Sequence, residues 1–168
     1  TSNLPLRGGK GWLYEGAGIY RHVWLNQYQN LHIQEDGIFA YSTAEKNNAR
    51  VSVETSVANE NYAAAPCTIH TYLQDRNGKV VASAADETIA LGINEQKNIK
   101  QSLLVNSPTL WSLDNPYLYR VVVELRSNGK IIDRKTIRFG IRTVEIKTNG
   151  VYLNGAHVKI FGVNCHQD

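Results

Sequence analysis

The strongest constraint on the fold is an apolar–polar alternation with a period of two residues. It appears in three separate stretches, at residues 51–57, 67–74 and 120–126. Alternate side chains of an extended chain point to opposite faces, so each stretch predicts a β-strand with one buried and one wet face. No stretch carries the apolar stripe of an amphipathic helix. The sequence therefore predicts an all-β protein.

Turn chemistry supports the strands. Asn-Gly occurs four times, at residues 77–78, 128–129, 149–150 and 154–155. Asn and Gly best tolerate the positive φ angles of a two-residue hairpin turn of type I′. The first two pairs predict hairpins that join 67–75 to 79–85 and 118–126 to 130–139.

Together these patterns predict an immunoglobulin-like antiparallel β-sandwich with extra flanking strands. Before the sandwich, a glycine-rich and aromatic stretch contains a predicted strand, Tyr20–Leu25. After it, a hairpin (144–148 and 151–153) leads into a predicted final strand at 157–163. The sandwich strands are predicted near 31–34, 37–44, 49–58, 67–75, 79–89, 98–106, 118–126 and 130–140.

The composition argues against several classes of partner and site. The net charge is only +3 and the Lys and Arg residues are scattered, so no nucleic-acid partner is predicted. No apolar run approaches the roughly 20 residues of a membrane helix, so no membrane contact is predicted. Cys67 and Cys165 stand far apart, which favours two free, partly buried thiols over a disulfide or a metal site. No cofactor is predicted, and the cellular compartment is left open.

Polar residues gather after the final predicted strand. Ile160–Val163 is an apolar run typical of a buried strand, and Asn164, Cys165, His166 and Asp168 lie at its carboxyl end. Barrel and open α/β folds place substrate contacts at that end of a strand. The combination of His166, Asp168 and Cys165 lacks the paired spacing of zinc sites, so a metal is the weaker interpretation.

Four segments, in order, resemble glycoside hydrolase family 2, the family of β-galactosidases, β-glucuronidases and β-mannosidases. They are Gly16–Leu25, Leu110–Tyr119, Phe139–Arg142 and Tyr152–Asp168. The resemblance implies three regions: the end of a sugar-binding jelly roll (1–28), a complete immunoglobulin-like domain (29–141) and the start of a catalytic TIM barrel (142–168).

The resemblance also implies an activity. Family members are retaining hydrolases with two catalytic glutamates, which lie on later barrel strands and would follow Asp168. The segment alone is therefore expected to be inactive, and the whole protein to hydrolyse β-galactosides, with β-glucuronides or β-mannosides as alternatives. His166, Asn164 and Asp168 are expected to contact the carbohydrate substrate in the whole protein.

The expected partners are the jelly roll and the barrel of the same protein. Segments adapted to those domains should expose Ile160, Phe161 and Val163 when alone, which favours self-association. Arg142 is expected to pair with a carboxylate between sandwich and barrel.

A free-standing carbohydrate-binding or adhesion sandwich remains the alternative from another class. An aligned row of exposed aromatic residues on one sheet face would favour it, and the alternation shows none. Packing is favoured over sugar stacking for Trp12, Trp24 and Trp111.

Overall fold

The computed structural model describes residues 18–19, 21–44 and 47–165. These residues contain eleven β-strands and no helix, which confirms the all-β prediction. The strands are β1 Leu31–Ala44, β2 Asn48–Asn59, β3 Ala65–Gln74, β4 Val80–Ser83, β5 Glu87–Leu91, β6 Gln96–Asn106, β7 Tyr119–Ser127, β8 Lys130–Phe139, β9 Val144–Lys147, β10 Gly150–Leu153 and β11 Ala156–Val158.

The first eight strands form two antiparallel sheets. One has the order β1-β2-β6, and the other has the order β4-β3-β7-β8. Strand β5 pairs with the same edge of β3 as β4, because β7 occupies the opposite edge. Strands β9, β10 and β11 form a third, small sheet.

The core lies between the two larger sheets and follows the alternation read from the sequence. Val51, Val53 and Val57 of β2 are fully buried, and so are Val121 and Val123 of β7. They belong to one hydrophobic cluster that receives side chains from both sheets. The immunoglobulin-like antiparallel sandwich is thereby confirmed.

Both predicted hairpins are present, but their turns differ. Asn128 and Gly129 have φ angles of 51° and 74°, as a type I′ turn between β7 and β8 requires. The Asn77-Gly78 turn is not of this type, because only Gly78 has a positive φ. The Asp75 carboxylate accepts hydrogen bonds from the amides of Asn77 and Lys79, which stabilises a longer loop.

The predicted break between 31–34 and 37–44 is wrong, because β1 runs through it. Its pairing with β2 shifts between Ile33 and Ile38, so four residues of β1 lie opposite one of β2. Asp36 has a φ of 51°, and a Cβ on Gly37 would lie 2.7 Å from the carbonyl oxygen of Gln34. The Asp-Gly pair therefore makes a bulge rather than a turn.

The predicted strand 79–89 is divided into β4 and β5. The intervening residues lie opposite Thr71, whose carbonyl accepts a hydrogen bond from the amide of Ala84. The carbonyl of Ala85 turns away and accepts one from the side chain of Gln101, at 2.8 Å. A side chain from the opposite sheet thus replaces a strand-to-strand bond at this point.

One lateral edge of the sandwich is closed by side chains. The Asp133 carboxylate of β8 accepts a hydrogen bond of 2.8 Å from the amide of Ile33 in β1. Two residues along β8, the Lys135 ammonium donates to the carbonyl of Gln34 and pairs with Glu35, each at 3.0 Å. These contacts join the two sheets along only part of the edge.

The small sheet has one apolar and one polar face. Its register aligns six apolar residues on one face: Val144, Ile146, Val151, Leu153, Ala156 and Val158. Ile146 is 85% exposed. On the other face Lys147 pairs with Glu145 at 2.9 Å and lies over the ring of Tyr152. The apolar face is therefore open on one side of an otherwise well-paired hairpin.

Two terminal predictions need correction. Residues 21–25 contain no strand, and no partner strand for them occurs among the described residues. An unpaired strand leaves its amides and carbonyls without partners, which removes the stability of the predicted Tyr20–Leu25 strand; Tyr20 itself lies outside the described residues. The final strand ends at Val158, and Ile160, Phe161 and Val163 are 72%, 82% and 93% exposed. Their predicted exposure is confirmed.

The compact unit Tyr28–Lys159 holds the sandwich and the small sheet together. The described residues of the second unit are 18–19, 21–27 and 160–165. The domain boundaries implied by the resemblance stay predictions.

Candidate functional site

The three predicted substrate-binding residues lie at the end of the chain. Asn164 is exposed and follows Val163 outside any strand. His166 and Asp168 lie outside the described residues. Their role in substrate binding stays a prediction.

A second candidate site lies where β8 leaves the sandwich. Gly140 is buried against Trp111, and a Cβ at this position would come within 3.0 Å of three Trp111 side-chain atoms. The amide of Trp111 donates to the carbonyl of Ile141 at 2.9 Å. Only glycine permits this close approach of chain and indole. The Trp111 segment and the exit from β8 are thereby held side by side.

Asn154 attaches the small sheet to the same place. Its side-chain amide donates to the carbonyl of Trp111 at 2.9 Å, and its side-chain oxygen accepts from the amide of Thr143 at 3.0 Å. Its own amide donates to the carbonyl of Thr143 at 2.8 Å. The turn Asn154-Gly155 has φ angles of 51° and 80°, so the type I′ geometry positions this side chain.

Three of the four segments that carry the family resemblance therefore meet at one junction. We call Trp111, Gly140, Ile141, Thr143 and Asn154 the exit junction. Its hydrogen bonds fix the orientation of the small sheet relative to the sandwich.

A cavity of about 360 Å³ lies beside the exit junction, on the sandwich edge that the Asp133 and Lys135 contacts leave open. Its lining includes two cationic side chains, Arg138 and Arg142, and no acidic side chain among the described residues. The Arg142 guanidinium also lies over the Trp111 ring, 5.0 Å from its centroid. The predicted pairing of Arg142 with a carboxylate finds no partner in the part of the chain that the structure describes.

A charged network covers the outer face of the five-stranded sheet. Glu124 is only 3% exposed and accepts hydrogen bonds from Arg126, Arg134 and Tyr72, the shortest two at 2.6 Å. Burial raises the pKa of Glu124, but these bonds outweigh burial and hold the pKa below its ordinary value. Because the Glu124 carboxylate is paired with both guanidinium groups within the sheet, we assign the network to the sheet rather than to a ligand.

The aromatic side chains of the described residues do not form an exposed row. Trp111 packs in the exit junction, as predicted, whereas Trp24 is 78% exposed and stacks on His22; Trp12 lies outside the described residues. On the outer face of β1, Phe39 and Tyr41 lie 5.6 Å apart, with Phe39 63% exposed. This is a pair and not the aligned row that would favour a free-standing carbohydrate-binding sandwich.

The remaining candidates are structural. Cys67 and Cys165 are free thiols, as predicted; burial raises the pKa of Cys67 to about 11, and Cys165 is exposed rather than partly buried. The described residues contain no group of three His, Cys, Asp or Glu side chains placed to hold a metal ion. They also contain no helix with the length and apolar character to cross a membrane.

Sequence reasoning did not single out Arg138 or Asn154. Arg138 occupies an ordinary polar position in an alternating strand. Asn154 was recognised only as a turn residue. Their roles depend on which distant segments they meet, and no local pattern carries that information.

Known relatives confirm the family. The model for glycosyl hydrolases family 2 matches residues 31–142, which contain all eight strands of the sandwich. A protein named β-galactosidase BoGH2A from Bacteroides ovatus is 34% identical over 92% of this chain. One named β-glucuronidase from Formosa agariphila is 29% identical over 95%.

A solved structure agrees with these relatives. A family 2 member from Bacteroides cellulosilyticus matches 79% of this chain with a TM-score of 0.74 and 32% identity. The chain spans 18% and 17% of the length of the two curated relatives and 17% of the solved chain. The chain belongs to glycosyl hydrolases family 2.

Proposed function

We propose that this chain is the immunoglobulin-like spacer of a glycosidase that hydrolyses terminal β-galactosidic bonds. The observation that carries the proposal is the coincidence of the family match at 31–142 with the sandwich strands. The relatives are much longer than this chain, so the sandwich supplies a small part of such a protein. The 34% identity to a protein named as a β-galactosidase favours that sugar.

The spacer acts by holding other domains in place. Its exit junction fixes the small sheet, whose apolar face leaves Ile146 85% exposed. Ile160 and Phe161 follow and are also exposed. Apolar groups gain free energy on burial, so these surfaces favour contact with further domains of the whole protein. By resemblance, those domains are a jelly roll before the sandwich and a barrel after it.

The chemistry belongs to the whole protein. A retaining hydrolase places two carboxyl groups on either side of the scissile bond, one as nucleophile and one as general acid and base. We assign neither role to a residue of this chain. His166, with Asn164 and Asp168, is proposed to bind substrate hydroxyls, because an imidazole can donate and accept hydrogen bonds at once.

A paired assay tests the proposal. The 168-residue chain and the full-length gene product are each offered nitrophenyl β-galactoside, β-glucuronide and β-mannoside. We expect the full-length protein to release nitrophenol from the β-galactoside and the chain to be inactive on all three. A full-length His166→Ala variant should show a raised KM, and a His22→Ala variant serves as the control.

Each other outcome changes a specific part of the proposal. Release from the β-glucuronide alone would replace the sugar and agree with the relative named as a β-glucuronidase. Activity of the isolated chain would mean that the catalytic carboxylates lie within it. Inactivity of both would refute the glycosidase proposal and favour a binding module.

A further inference from the structure

The cavity beside the exit junction contains two cationic groups that the rest of the described sandwich does not neutralise. The side chain of Arg138, whose backbone pairs with β7, makes no ion pair or hydrogen bond among the described residues. Arg142 contacts the Trp111 ring, and its backbone carbonyl accepts from the Ser42 hydroxyl, but its guanidinium has no carboxylate partner among the described residues. By contrast Arg126 and Arg134, which lie farther along the face of the sheet that also carries Arg138, are both paired with Glu124.

From this arrangement we infer that the cavity is a binding site for a carboxylate group, held between Arg138 and Arg142. The guanidinium presents a planar fork of N–H donors that matches a carboxylate with two parallel hydrogen bonds. The volume of about 360 Å³ lies within the range of small-ligand sites. This inference does not depend on the proposed glycosidase activity.

The remaining lining is mainly apolar and offers few competing polar groups. Leu118, Phe139 and Val144 supply apolar surface beside the two guanidinium groups. The hydroxyl protons of Tyr41 and Ser42 are already donated, to Glu54 and to the Arg142 carbonyl, each at 3.3 Å. Among the described residues the two guanidinium groups are therefore the free donors of the lining, and each can pair with a carboxylate through two parallel hydrogen bonds.

The carboxylate has two possible sources with the same chemistry. It can belong to an Asp or Glu side chain elsewhere in the whole protein, or to a free acidic molecule such as a uronic acid. In either case it would neutralise charge at the point where the small sheet is attached. A side chain seated here would link the following domain to the sandwich beside the exit junction.

Arginine side-chain NMR tests the inference directly. The labelled 168-residue chain is titrated with sodium acetate, sodium glucuronate, inorganic phosphate and neutral glucose, with sodium chloride at matched ionic strength. We expect acetate and glucuronate to shift the Nε–H signals of Arg138 and Arg142 saturably. Glucose and chloride should leave them unchanged, and phosphate should bind no more tightly than acetate.

Matched variants separate the site from general charge attraction. Arg138→Gln should weaken acetate binding roughly tenfold, the loss of about 1.4 kcal/mol. Arg50→Gln removes another exposed arginine, which lies outside the cavity and donates to Ser102, and should leave binding unchanged. Because the Arg138 side chain makes no ion pair or hydrogen bond among the described residues, Arg138→Gln should leave the fold intact, which the NMR spectrum of the variant checks directly.

The full-length protein identifies the source. If a side chain of the protein fills the site, acetate will bind the 168-residue chain but not the full-length protein. If both bind, and glucuronate binds at least tenfold more tightly than acetate, the ligand is an acidic sugar. Non-saturable shifts, equal shifts with chloride, tighter binding of phosphate, or unchanged binding by Arg138→Gln would each overturn the inference.

Discussion

Two buried threonines allow the polar link between the sheets to be measured. Thr71 of β3 is fully buried, and its hydroxyl donates to the side-chain oxygen of Gln101 in β6 at 2.6 Å. The Gln101 amide donates in turn to the carbonyls of Ile69 and Ala85. Thr55 of β2 is 1% exposed, and its hydroxyl has no partner among the described residues. Substitution of each threonine by valine therefore removes a hydrogen-bonded hydroxyl at position 71 and a hydroxyl without a hydrogen bond at position 55.

We expect Thr71→Val to destabilise the sandwich and Thr55→Val to leave it unchanged or stabilise it. Both variants replace a buried hydroxyl with a methyl group of similar shape. The free energy gained by burying the methyl group is therefore the same in both variants and cancels when their stabilities are compared. What remains is the Gln101 oxygen left buried without its donor, which costs about 1–3 kcal/mol. Removal of the unpaired Thr55 hydroxyl avoids a desolvation penalty of similar size.

Urea unfolding at equilibrium measures both effects. With an m-value of about 1–3 kcal/mol/M, the two midpoints should differ by roughly 1 M, with m unchanged. A double-mutant cycle with Gln101→Leu should show coupling between Thr71 and Gln101, and none between Thr55 and Gln101. Equal midpoint shifts for the two threonine variants, or a Thr71→Val chain more stable than the parent, would refute the reasoning.

Four further changes test other parts of the structure. Gly140→Ala should displace Trp111, since its new Cβ would lie 3.0 Å from the indole. We expect a lower melting temperature and altered tryptophan fluorescence. An unchanged melting temperature would argue against close packing of Gly140 on Trp111. Asp133→Asn should cost about 1 kcal/mol, because the β1 amide loses a charged acceptor; protection of that amide from hydrogen exchange should fall, and full protection would contradict this role. The folded pKa of Glu124 lies below its ordinary value near 4.5, so its contribution to stability is present above that pH and is lost as the pH falls through the folded pKa. Glu124→Gln should therefore flatten the acid limb of the curve of stability against pH. An unchanged acid limb would exclude Glu124 as its source. Ile146→Lys should reduce self-association of the chain in sedimentation experiments if the apolar face of the small sheet drives it, and an unchanged association constant would direct attention to other exposed groups.

Local patterns predicted the strands because burial on one face repeats every second residue. The alternation in β2, β3 and β7 depends only on neighbouring residues, and all three strands lie where it predicted them. The hairpin at Asn128-Gly129 is equally local, because its two φ angles are set by the turn residues themselves. For these elements the sequence was sufficient.

Prediction failed where a distant segment decides the outcome. In the sequence, Asp36-Gly37 resembles a turn. The structure shows a bulge, because β1 pairs with β2 on both sides of it. The break between β4 and β5 depends on Gln101, which reaches across from the other sheet to the Ala85 carbonyl. The residues on either side of the break carry no local pattern that indicates Gln101 as a partner.

The residues of the candidate site show the same difference between local patterns and long-range contacts. Trp111, Gly140 and Asn154 could each be read as a packing or turn residue, yet only the folded chain shows that they form one exit junction. Arg138 alternates with apolar residues like any surface residue of a strand. Its significance comes from lying with Arg142 at the open part of the sandwich edge, beyond the part that Asp133 and Lys135 close.

The position of that opening connects the energetics of the sandwich with its proposed role as a spacer. Where β1 and β8 are joined, the Asp133 carboxylate and the Lys135 ammonium satisfy the polar groups of the edge within the described chain. Where they separate, beside the exit junction, cationic groups and the apolar face of the small sheet are left exposed instead. A spacer adapted only to its own stability would gain by closing both ends of the edge. Leaving charge and apolar surface together at the point where the chain leaves the sandwich is the arrangement expected when another domain completes it.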